Sequence, residues 1–156
     1  MELSQVAVPG AGGIWVIEGD RDGITQVLMP QGKVHTGSVP PSAPVRAAAK
    51  QLEQYFAGRR TEFDVELHVA ATDFQVDVWG AVMTIPFGSV ATYQDIAFAV
   101  GRPRAYRAVG NANGRNPFPI FVPCHRVVAE SGLGGYGGGL HVKRALLALE
   151  GITAYD

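Results

Sequence analysis

Three segments in the first seventy residues carry the apolar pattern of strands. Gly13–Ile17 and Ile24–Met29 are short apolar runs, and a turn through Asp20–Gly23 would join them as a hairpin. Between residues 63 and 69, apolar and acidic or basic side chains alternate, which predicts a third strand with one buried face.

A helix is predicted over about residues 43–57. A proline-rich linker at 38–42 leads into it, and apolar side chains then recur at helical spacing. Those side chains are Val45, Ala48, Leu52, Tyr55 and Phe56. Residues 1–70 are therefore expected to form a small α/β lobe with a short antiparallel sheet.

From Thr72 onward the pattern becomes helical. Thr72 and Gln75 are spaced as a capping box, and Pro86–Gly88 would end the helix that they start. Thr92 is placed to cap the next helix, about residues 93–100, which Gly101 would terminate.

Two further helices complete the pattern. Pro103 fits the first turn of a helix at about 103–112, and the last helix is expected near 140–149. The tight turn at Gly101 makes the first of these the second half of a helix-turn-helix. Residues 71–156 are thus expected to be a mainly helical, winged helix-turn-helix-like domain, and the whole chain an α/β (α+β) protein.

Composition allows one domain or two small lobes in a globular protein, since the 156 residues are 47% hydrophobic and 17% charged. The net charge is −1, but it is divided unevenly: residues 1–100 hold 6 Lys/Arg against 11 Asp/Glu, and residues 101–156 hold 7 against 3. This asymmetry is typical either of a basic lobe that faces a polyanion or of a solvated arginine surface, and charge alone does not separate them.

The sequence excludes several classes of protein. No apolar run approaches the ~20 residues that span a bilayer, so no membrane contact is expected. The first thirteen residues carry Glu2 and no basic cluster, unlike a signal peptide. Cys124 is the only cysteine, which excludes an internal disulfide and fits a reducing compartment; we expect a cytoplasmic protein.

Cys124 is also the clearest candidate for chemistry. Pro123 precedes it, His125 follows, and a glycine-rich stretch lies at 132–139. A lone cysteine is more often a buried small hydrophobe than a nucleophile, yet a neighbouring base can activate a thiol. Because adjacent residues rarely bring the ring onto the sulfur, we expect contact through a water. Glu150 could orient the imidazole, although its spacing alone favours an exposed carboxylate at a helix end.

Several motifs in one order make the pattern specific. The run Pro123–Val127 is preceded by Asn116–Ile120 and by Arg107–Gly110, and a glycine-rich loop and Leu146–Glu150 follow. From about Thr72 to Gly151 the chain resembles the O6-alkylguanine-DNA alkyltransferases, also called methylated-DNA–protein-cysteine methyltransferases.

The resemblance implies a DNA-repair reaction. Alkylated guanine in double-stranded DNA is flipped out of the helix, and its alkyl group passes irreversibly to Cys124 in a single turnover. The implied catalytic residues are Cys124, His125, Glu150, Tyr93 and Asn116. The implied DNA-binding residues are Arg102, Arg104, Ala105, Tyr106, Arg107, Gly110 and Arg115. The implied substrate pocket is formed by Pro119, Val127, Tyr136 and Gly137.

Within this interpretation each group has a role. Tyr93 would donate to guanine N3, Arg107 would fill the gap left by the base, and Asn116 would hold the reactive turn. Lys143 would join the arginines on the phosphates, and the backbone carbonyls of Cys124 and Val127 would bind the exocyclic amine. Tyr106 stands where the family usually has a small residue, so the helix could dock differently or use Tyr106 for stacking.

The resemblance also implies what the protein lacks and which alternatives remain. No cofactor is expected, and with no cysteine before Cys124 we expect no zinc in the N-terminal lobe. The protein is expected to be a monomer that could bind DNA cooperatively, and its alkylated form to be destabilised. The alternatives are a non-repairing alkylguanine-recognition protein, which would lack the cysteine, a transcription regulator, and a cysteine hydrolase.

Overall fold

The computed structural model describes residues 2–31 and 39–155, and the chain divides into two compact units, residues 1–69 and 70–156. The first residue of the predicted proline-rich linker, Ser38, lies outside the described residues. None of the described helices has both the length and the apolar character needed to cross a membrane.

The first unit is built on a three-stranded antiparallel sheet in the order β1-β2-β3. The strands are β1 (Ser4–Gly10), β2 (Gly13–Gly19) and β3 (Ile24–Leu28). The sequence missed β1, although it pairs with β2 along its full length. Its Pro9 and Gly10 are residues that strands usually avoid, which hid the pattern.

Helix α1 (Ala43–Phe56) packs on this sheet. The side chains between them are apolar and almost wholly excluded from solvent. They are Val8, Trp15, Ile17, Ile24, Val45, Ala48, Leu52 and Tyr55. The predicted helix is therefore present, and its apolar stripe forms the core of the unit.

The predicted strand at 63–69 is wrong. Among the described residues this segment forms one isolated bridge, between Leu67 and Ile24, through Ile24 N–H to Glu66 O at 2.8 Å and His68 N–H to Ile24 O at 2.8 Å. Alternation reports that one face is partly covered. A strand also needs a neighbouring strand to pair with, and here only Ile24, the first residue of β3, pairs with this segment.

The second unit is mainly helical. Its helices are α2 (Asp73–Val82), α3 (Tyr93–Ala99), α4 (Tyr106–Gly114) and α5 (Leu140–Leu149). Complete capping boxes begin α2, at Thr72 and Gln75, and α3, at Thr92 and Asp95. Helix α4 begins three residues later than predicted, because the chain first makes a turn closed by Ala105 N–H to Arg102 O at 2.9 Å.

Two very short strands connect these helices to the candidate site. β4 (Ala91–Thr92) pairs in parallel with β5 (Val127–Val128). This pairing brings the start of α3 beside the segment that follows Cys124. Trp79 of α2 donates its indole N–H to Ala112 O of α4 at 2.8 Å, which fixes the helical layer behind the site.

Candidate active site

Cys124 opens a single 3-10 turn, Cys124–Arg126. The turn is closed by Arg126 N–H to Pro123 O at 2.9 Å and by Val127 N–H to Cys124 O, and Cys124 N–H donates to Val122 O at 2.7 Å just before it. Just before it, Ile120 has a φ of 77° and is 1% exposed. A β-branched side chain seldom adopts this left-handed backbone, so the surrounding packing holds the approach to the turn.

Glu150 is the centre of a buried polar network. Its Oε2 accepts from His125 Nε2 at 2.6 Å and from Arg126 Nη2 at 3.1 Å, while Oε1 accepts from Arg126 Nε at 2.8 Å. The N–H of Gly88 adds a fourth donor at 3.0 Å. The expectation from spacing, an exposed helix-end carboxylate, is wrong, because Glu150 is the C-cap of α5 and turns inward onto Arg126.

The imidazole of His125 is completely buried. Burial lowers its pKa, and the Glu150 carboxylate opposes that shift. Since Nε2 faces Glu150, Nδ1 is the remaining nitrogen, and it has no hydrogen-bond partner within the described residues. A neutral ring that donates from Nε2 would thus present Nδ1 as an acceptor for a proton.

Cys124 is buried, with 3% of the residue exposed. Burial raises its pKa, while the side chains of Asn116 and Tyr136 and the Lys143 ammonium act in the opposite direction. A buried thiol with a raised pKa is protonated at neutral pH and needs a base before it can react as a thiolate. His125 follows Cys124 directly in the sequence and carries a titratable ring.

Two asparagines hold the backbone of the reactive turn. Asn116 Nδ2 donates to Val122 O at 2.8 Å, and its Oδ1 accepts from Phe118 N–H at 2.9 Å. Asn113, at the end of α4, donates from Nδ2 to Cys124 O at 3.2 Å. The sequence pointed to Asn116 but missed Asn113, whose signal was its position one helical turn before Asn116.

Lys143 lies inside the unit rather than on its surface. It is 0% exposed, and Nζ donates to Val127 O at 2.7 Å and to Gly135 O at 3.1 Å. Burial lowers the pKa of the ammonium to about 8. The expected phosphate contact is therefore wrong, because the side chain is directed to the carbonyls of β5 and of the glycine-rich loop.

Tyr93, the first residue of α3, meets the glycine-rich loop. Its hydroxyl lies against the backbone of Gly134 and Gly135, and the Gly135 N–H bonds to it. Gly134 has a φ of 77°, and a Cβ there would fall 2.7 Å from the hydroxyl oxygen. Glycine is therefore required at 134. Burial raises the pKa of Tyr93, and the Cys124 charge adds to the shift.

The four residues predicted to wall a pocket differ in exposure. Pro119 and Val127 are buried, Tyr136 is half-buried and Gly137 is exposed. The ring of Tyr136 lies 6.0 Å from Lys143 Nζ. Pro119 bridges to Val122, which places it beside the turn.

The predicted DNA-binding residues lie on the α3–α4 connection and on α4. All four arginines are exposed, and none forms an ion pair with another described residue. They are Arg102, Arg104, Arg107 and Arg115. Tyr106 is 40% exposed, and Ala105 and Gly110 are half-buried. The described residues contain no group of three His, Cys, Asp or Glu that could hold a metal ion.

Comparison with known proteins assigns the chain to a family. Residues 73–152 match the DNA binding domain of 6-O-methylguanine DNA methyltransferase, and residues 9–69 match its ribonuclease-like domain. The chain belongs to the 6-O-methylguanine DNA methyltransferase family. The resemblance found in the sequence is thus confirmed, and it extends into the N-terminal unit.

Relatives in this family carry the name methylated-DNA–protein-cysteine methyltransferase. One from Mycobacterium tuberculosis is 60% identical over 104 residues, which cover 66% of this chain and 63% of the relative. The chain thus matches less than two thirds of that relative's length. Another, from Methanosarcina acetivorans, is 46% identical over 141 residues, covering 87% of this chain and 90% of the relative.

Solved structures of family members share the fold. The Mycobacterium tuberculosis O6-methylguanine methyltransferase superposes with a TM-score of 0.84 and 41% identity, covering 99% of this chain and 95% of the other. A structure of OGT from the same organism in complex with DNA has a TM-score of 0.83 and 47% identity, covering 92% and 90%. The predicted α+β class is confirmed.

Proposed function

We propose that this protein repairs double-stranded DNA by moving the alkyl group of O6-alkylguanine, mainly O6-methylguanine, onto Cys124. The observation that carries the proposal is the buried series Cys124, His125, Glu150, in which the imidazole is anchored through Nε2 at 2.6 Å and Nδ1 is left for a proton. Similarity to methylated-DNA–protein-cysteine methyltransferases and to a DNA-bound family structure supports the same substrate.

The transfer is a direct displacement. The thiol proton passes to His125 Nδ1 through a water, the sulfur attacks the alkyl carbon, and the carbon–O6 bond breaks with its electron pair leaving on the purine. The guanine then takes up a proton, which Tyr93 assists by donating to N3. Water does not readily cleave the resulting thioether, so each chain reacts once.

The base must leave the duplex before it can reach the thiol. O6 is inaccessible within the base stack, and Cys124 is itself enclosed at 3% exposure. We assign this step to residues 71–156: Arg107 fills the gap in the stack, and the exposed Arg102, Arg104 and Arg115 contact phosphates. Ala105, Tyr106 and Gly110 add to this contact with DNA. The alkyl group is enclosed by Pro119, Val127, Tyr136 and Gly137.

We further propose that the protein acts as a monomer in the cytoplasm, without a cofactor, and can bind DNA in several copies. A reducing compartment suits a chain whose one thiol must stay free. Residues 1–70 serve as a scaffold lobe. The non-repairing recognition protein is the weaker alternative, because such a protein has no use for a thiol placed beside an anchored imidazole.

The test is the mass of the intact protein after mixing with duplex DNA that contains one O6-methylguanine. We expect the wild type to gain one methyl group per chain and then stop, while Cys124→Ala gains none. Tight binding to the lesion without any change in mass would reject transfer and support the recognition protein.

A further inference from the structure

Arg126 carries a charge that the mechanism proposed above does not use. The residue is 5% exposed, and it follows His125 directly in the 3-10 turn that Cys124 opens. Arginine is almost never this deeply buried unless it is paired. The partners of its guanidinium therefore indicate what the charge does.

The guanidinium of Arg126 is bound on two sides. Nε donates to Glu150 Oε1 at 2.8 Å and Nη2 donates to Glu150 Oε2 at 3.1 Å, while Nη1 donates to Ile85 O at 2.8 Å. The two bonds to the carboxylate form the bidentate pair in which arginine binds a carboxylate most strongly. The bond to the loop after α2 holds the guanidinium in the orientation that this pair requires.

The same carboxylate anchors the base. Glu150 Oε2 also accepts from His125 Nε2 at 2.6 Å, and both side chains are fully buried. Glu150 is thus bonded to a permanent cation on one side and to a titratable ring on the other. Since a guanidinium keeps its proton in proteins, the carboxylate has a full counter-charge without any added proton on the ring.

Removal of the guanidinium would change the number of protons that Glu150 and His125 hold together. The carboxylate would then be a buried charge without a counter-charge, which is costly, and the pair would take up one proton. That proton either turns the ring into an imidazolium or binds to the carboxylate, which then donates to Nε2. In both arrangements Nδ1 carries a hydrogen and cannot accept the thiol proton.

Three charged groups act on the His125 ring. Burial lowers its pKa most, the Glu150 carboxylate raises it, and the positive charges of Arg126 and Lys143 lower it further. The Lys143 ammonium donates to two backbone carbonyls, and Cys124 is neutral while its thiol holds the proton. Arg126 is therefore the cation that is bonded directly to the carboxylate.

We propose that Arg126 is a positioning residue for the alkyl transfer: its guanidinium supplies the counter-charge of Glu150, so that the His125 imidazole stays neutral with its hydrogen on Nε2, and Nδ1 remains free for the thiol proton. This inference rests on the function proposed above. A purely structural ion pair would hold the turn in place without fixing the protonation state of the ring, and that state can be measured.

Nitrogen-15 NMR of protein labelled in histidine measures that state directly, without DNA. The chemical shifts of the two ring nitrogens show which of them carries a hydrogen. The chain has four histidines, and replacing each of the other three by glutamine identifies the signals of His125. At pH 7 we expect a neutral ring with its hydrogen on Nε2 in the wild type, and a ring with a hydrogen on Nδ1 in Arg126→Met.

The single-turnover rate of methyl transfer to Cys124 provides the second measurement. It is followed by intact mass with duplex DNA that contains one O6-methylguanine, at pH 7 and pH 9. We expect Arg126→Met to be about a hundredfold slower than the wild type at pH 7, the lower end of what a general base contributes. The ratio of the two rates should shrink at pH 9, because the variant loses its extra proton as the pH rises.

Arg126→Lys and Arg144→Met are the controls. Lysine keeps a positive charge beside Glu150 but not the bidentate pair, so its ring should keep the hydrogen on Nε2, and any loss of rate should be equal at the two pH values. Arg144→Met removes an exposed charge of α5 and should match the wild type in both measurements.

An equal loss of rate at pH 7 and pH 9 in Arg126→Met, with the hydrogen still on Nε2, would show a structural role and reject the proposal. A wild-type ring that carries a hydrogen on Nδ1 at pH 7 would reject it without any variant. Arg126→Gln, which is neutral but can still donate to Ile85 O, replaces the methionine variant if that variant does not fold.

The two measurements separate this proposal from the proposed function. Absence of methyl transfer in the wild type would reject the proposed function, and this role with it. Normal transfer by a wild type whose Nδ1 carries a hydrogen would reject only the role of Arg126.

Discussion

The two units of this chain bury different kinds of side chain. Among the described residues of the first unit, the only buried polar side chain is Ser4, and the core is apolar. The second unit buries six polar or charged side chains: Asn113, Asn116, His125, Arg126, Lys143 and Glu150. Apolar burial stabilises a fold directly, whereas buried charges must be paired to avoid a large desolvation cost. The first unit is built for stability and the second for reactivity.

Removing one charge from the buried network of the second unit should have the largest effect on stability. Glu150→Gln keeps the shape of the side chain but leaves the guanidinium of Arg126 buried without its carboxylate. We expect the free energy of unfolding to fall by about 3–5 kcal/mol. Urea denaturation followed by fluorescence measures it, because Trp79 reports on the second unit and Trp15 on the first.

Glu130→Gln is the matched control, since Glu130 is an exposed acid of the same unit. It should change the free energy of unfolding by less than about 0.5 kcal/mol. An equally small effect of Glu150→Gln would mean that the buried network contributes no more to the free energy of unfolding than a surface charge does. The contrast between the two units would then be wrong.

The apolar core of the first unit should respond through packing alone. Leu52 is 0% exposed, and Leu52→Ala should lower the free energy of unfolding by about 3 kcal/mol through the cavity it leaves. Lys50→Ala, at an exposed position of the same helix, is the control. We expect the rate at which iodoacetamide alkylates Cys124 in the folded protein to stay unchanged. A large change in that rate would show that the first unit also tunes the thiol.

The buried ammonium of Lys143 should make the free energy of unfolding of the second unit depend on pH. Burial lowers the pKa of its ammonium from 10.5 to about 8, so between these values the unfolded chain holds a proton that the folded chain has lost. The free energy of unfolding then rises with pH, by up to about 1.4 kcal/mol per unit. We expect this rise between pH 8 and 9 in the wild type and not in Lys143→Met, by urea denaturation.

Arg144→Met, which removes the neighbouring exposed charge, is the control. Its free energy of unfolding should still rise between pH 8 and 9. The pH window ends near 9 because burial raises the pKa of Cys124. Above its unfolded value of 9.0 the folded thiol holds its proton longer than the unfolded one, which lowers stability as pH increases. If the free energy of unfolding still rose between pH 8 and 9 in Lys143→Met, another titratable group would be its cause.

The smallest expected effect concerns helix ends. Thr72 caps α2 through its side-chain oxygen and Gln75 N–H at 3.1 Å, whereas Ser42 at the start of α1 makes no such bond. Thr72→Ala should cost about 1 kcal/mol, and the exposed Thr61→Ala about zero. Thermal denaturation would measure both. Equal costs would mean that the capping box adds nothing to the second unit.

Local patterns predicted the helices well and the strands less well. The capping box at Thr72 and the helix cap at Thr92 were visible because their signal lies within four residues. β1 and the isolated bridge at Leu67 were misjudged because pairing depends on a partner distant in sequence. The late start of α4 follows from a turn that Pro103 alone does not reveal.

The site divides in the same way. The resemblance to the family predicted Cys124, His125, Asn116 and Glu150 as catalytic residues. The burial of Lys143 was missed because a lysine on a helix is usually exposed. The bond from Asn113 to the Cys124 carbonyl was missed because it joins two segments that only the folded chain brings together.

Ile120 carries a lesson for anyone who would redesign this protein. Its φ of 77° favours glycine, and local preference would replace the isoleucine without hesitation. Yet the side chain is 1% exposed and packed, so the same replacement would remove an anchor next to the reactive turn. Optimising each position separately would thus loosen the segment that precedes the reactive turn and holds the thiol in position. Thermostability gained elsewhere in the chain would not restore that position.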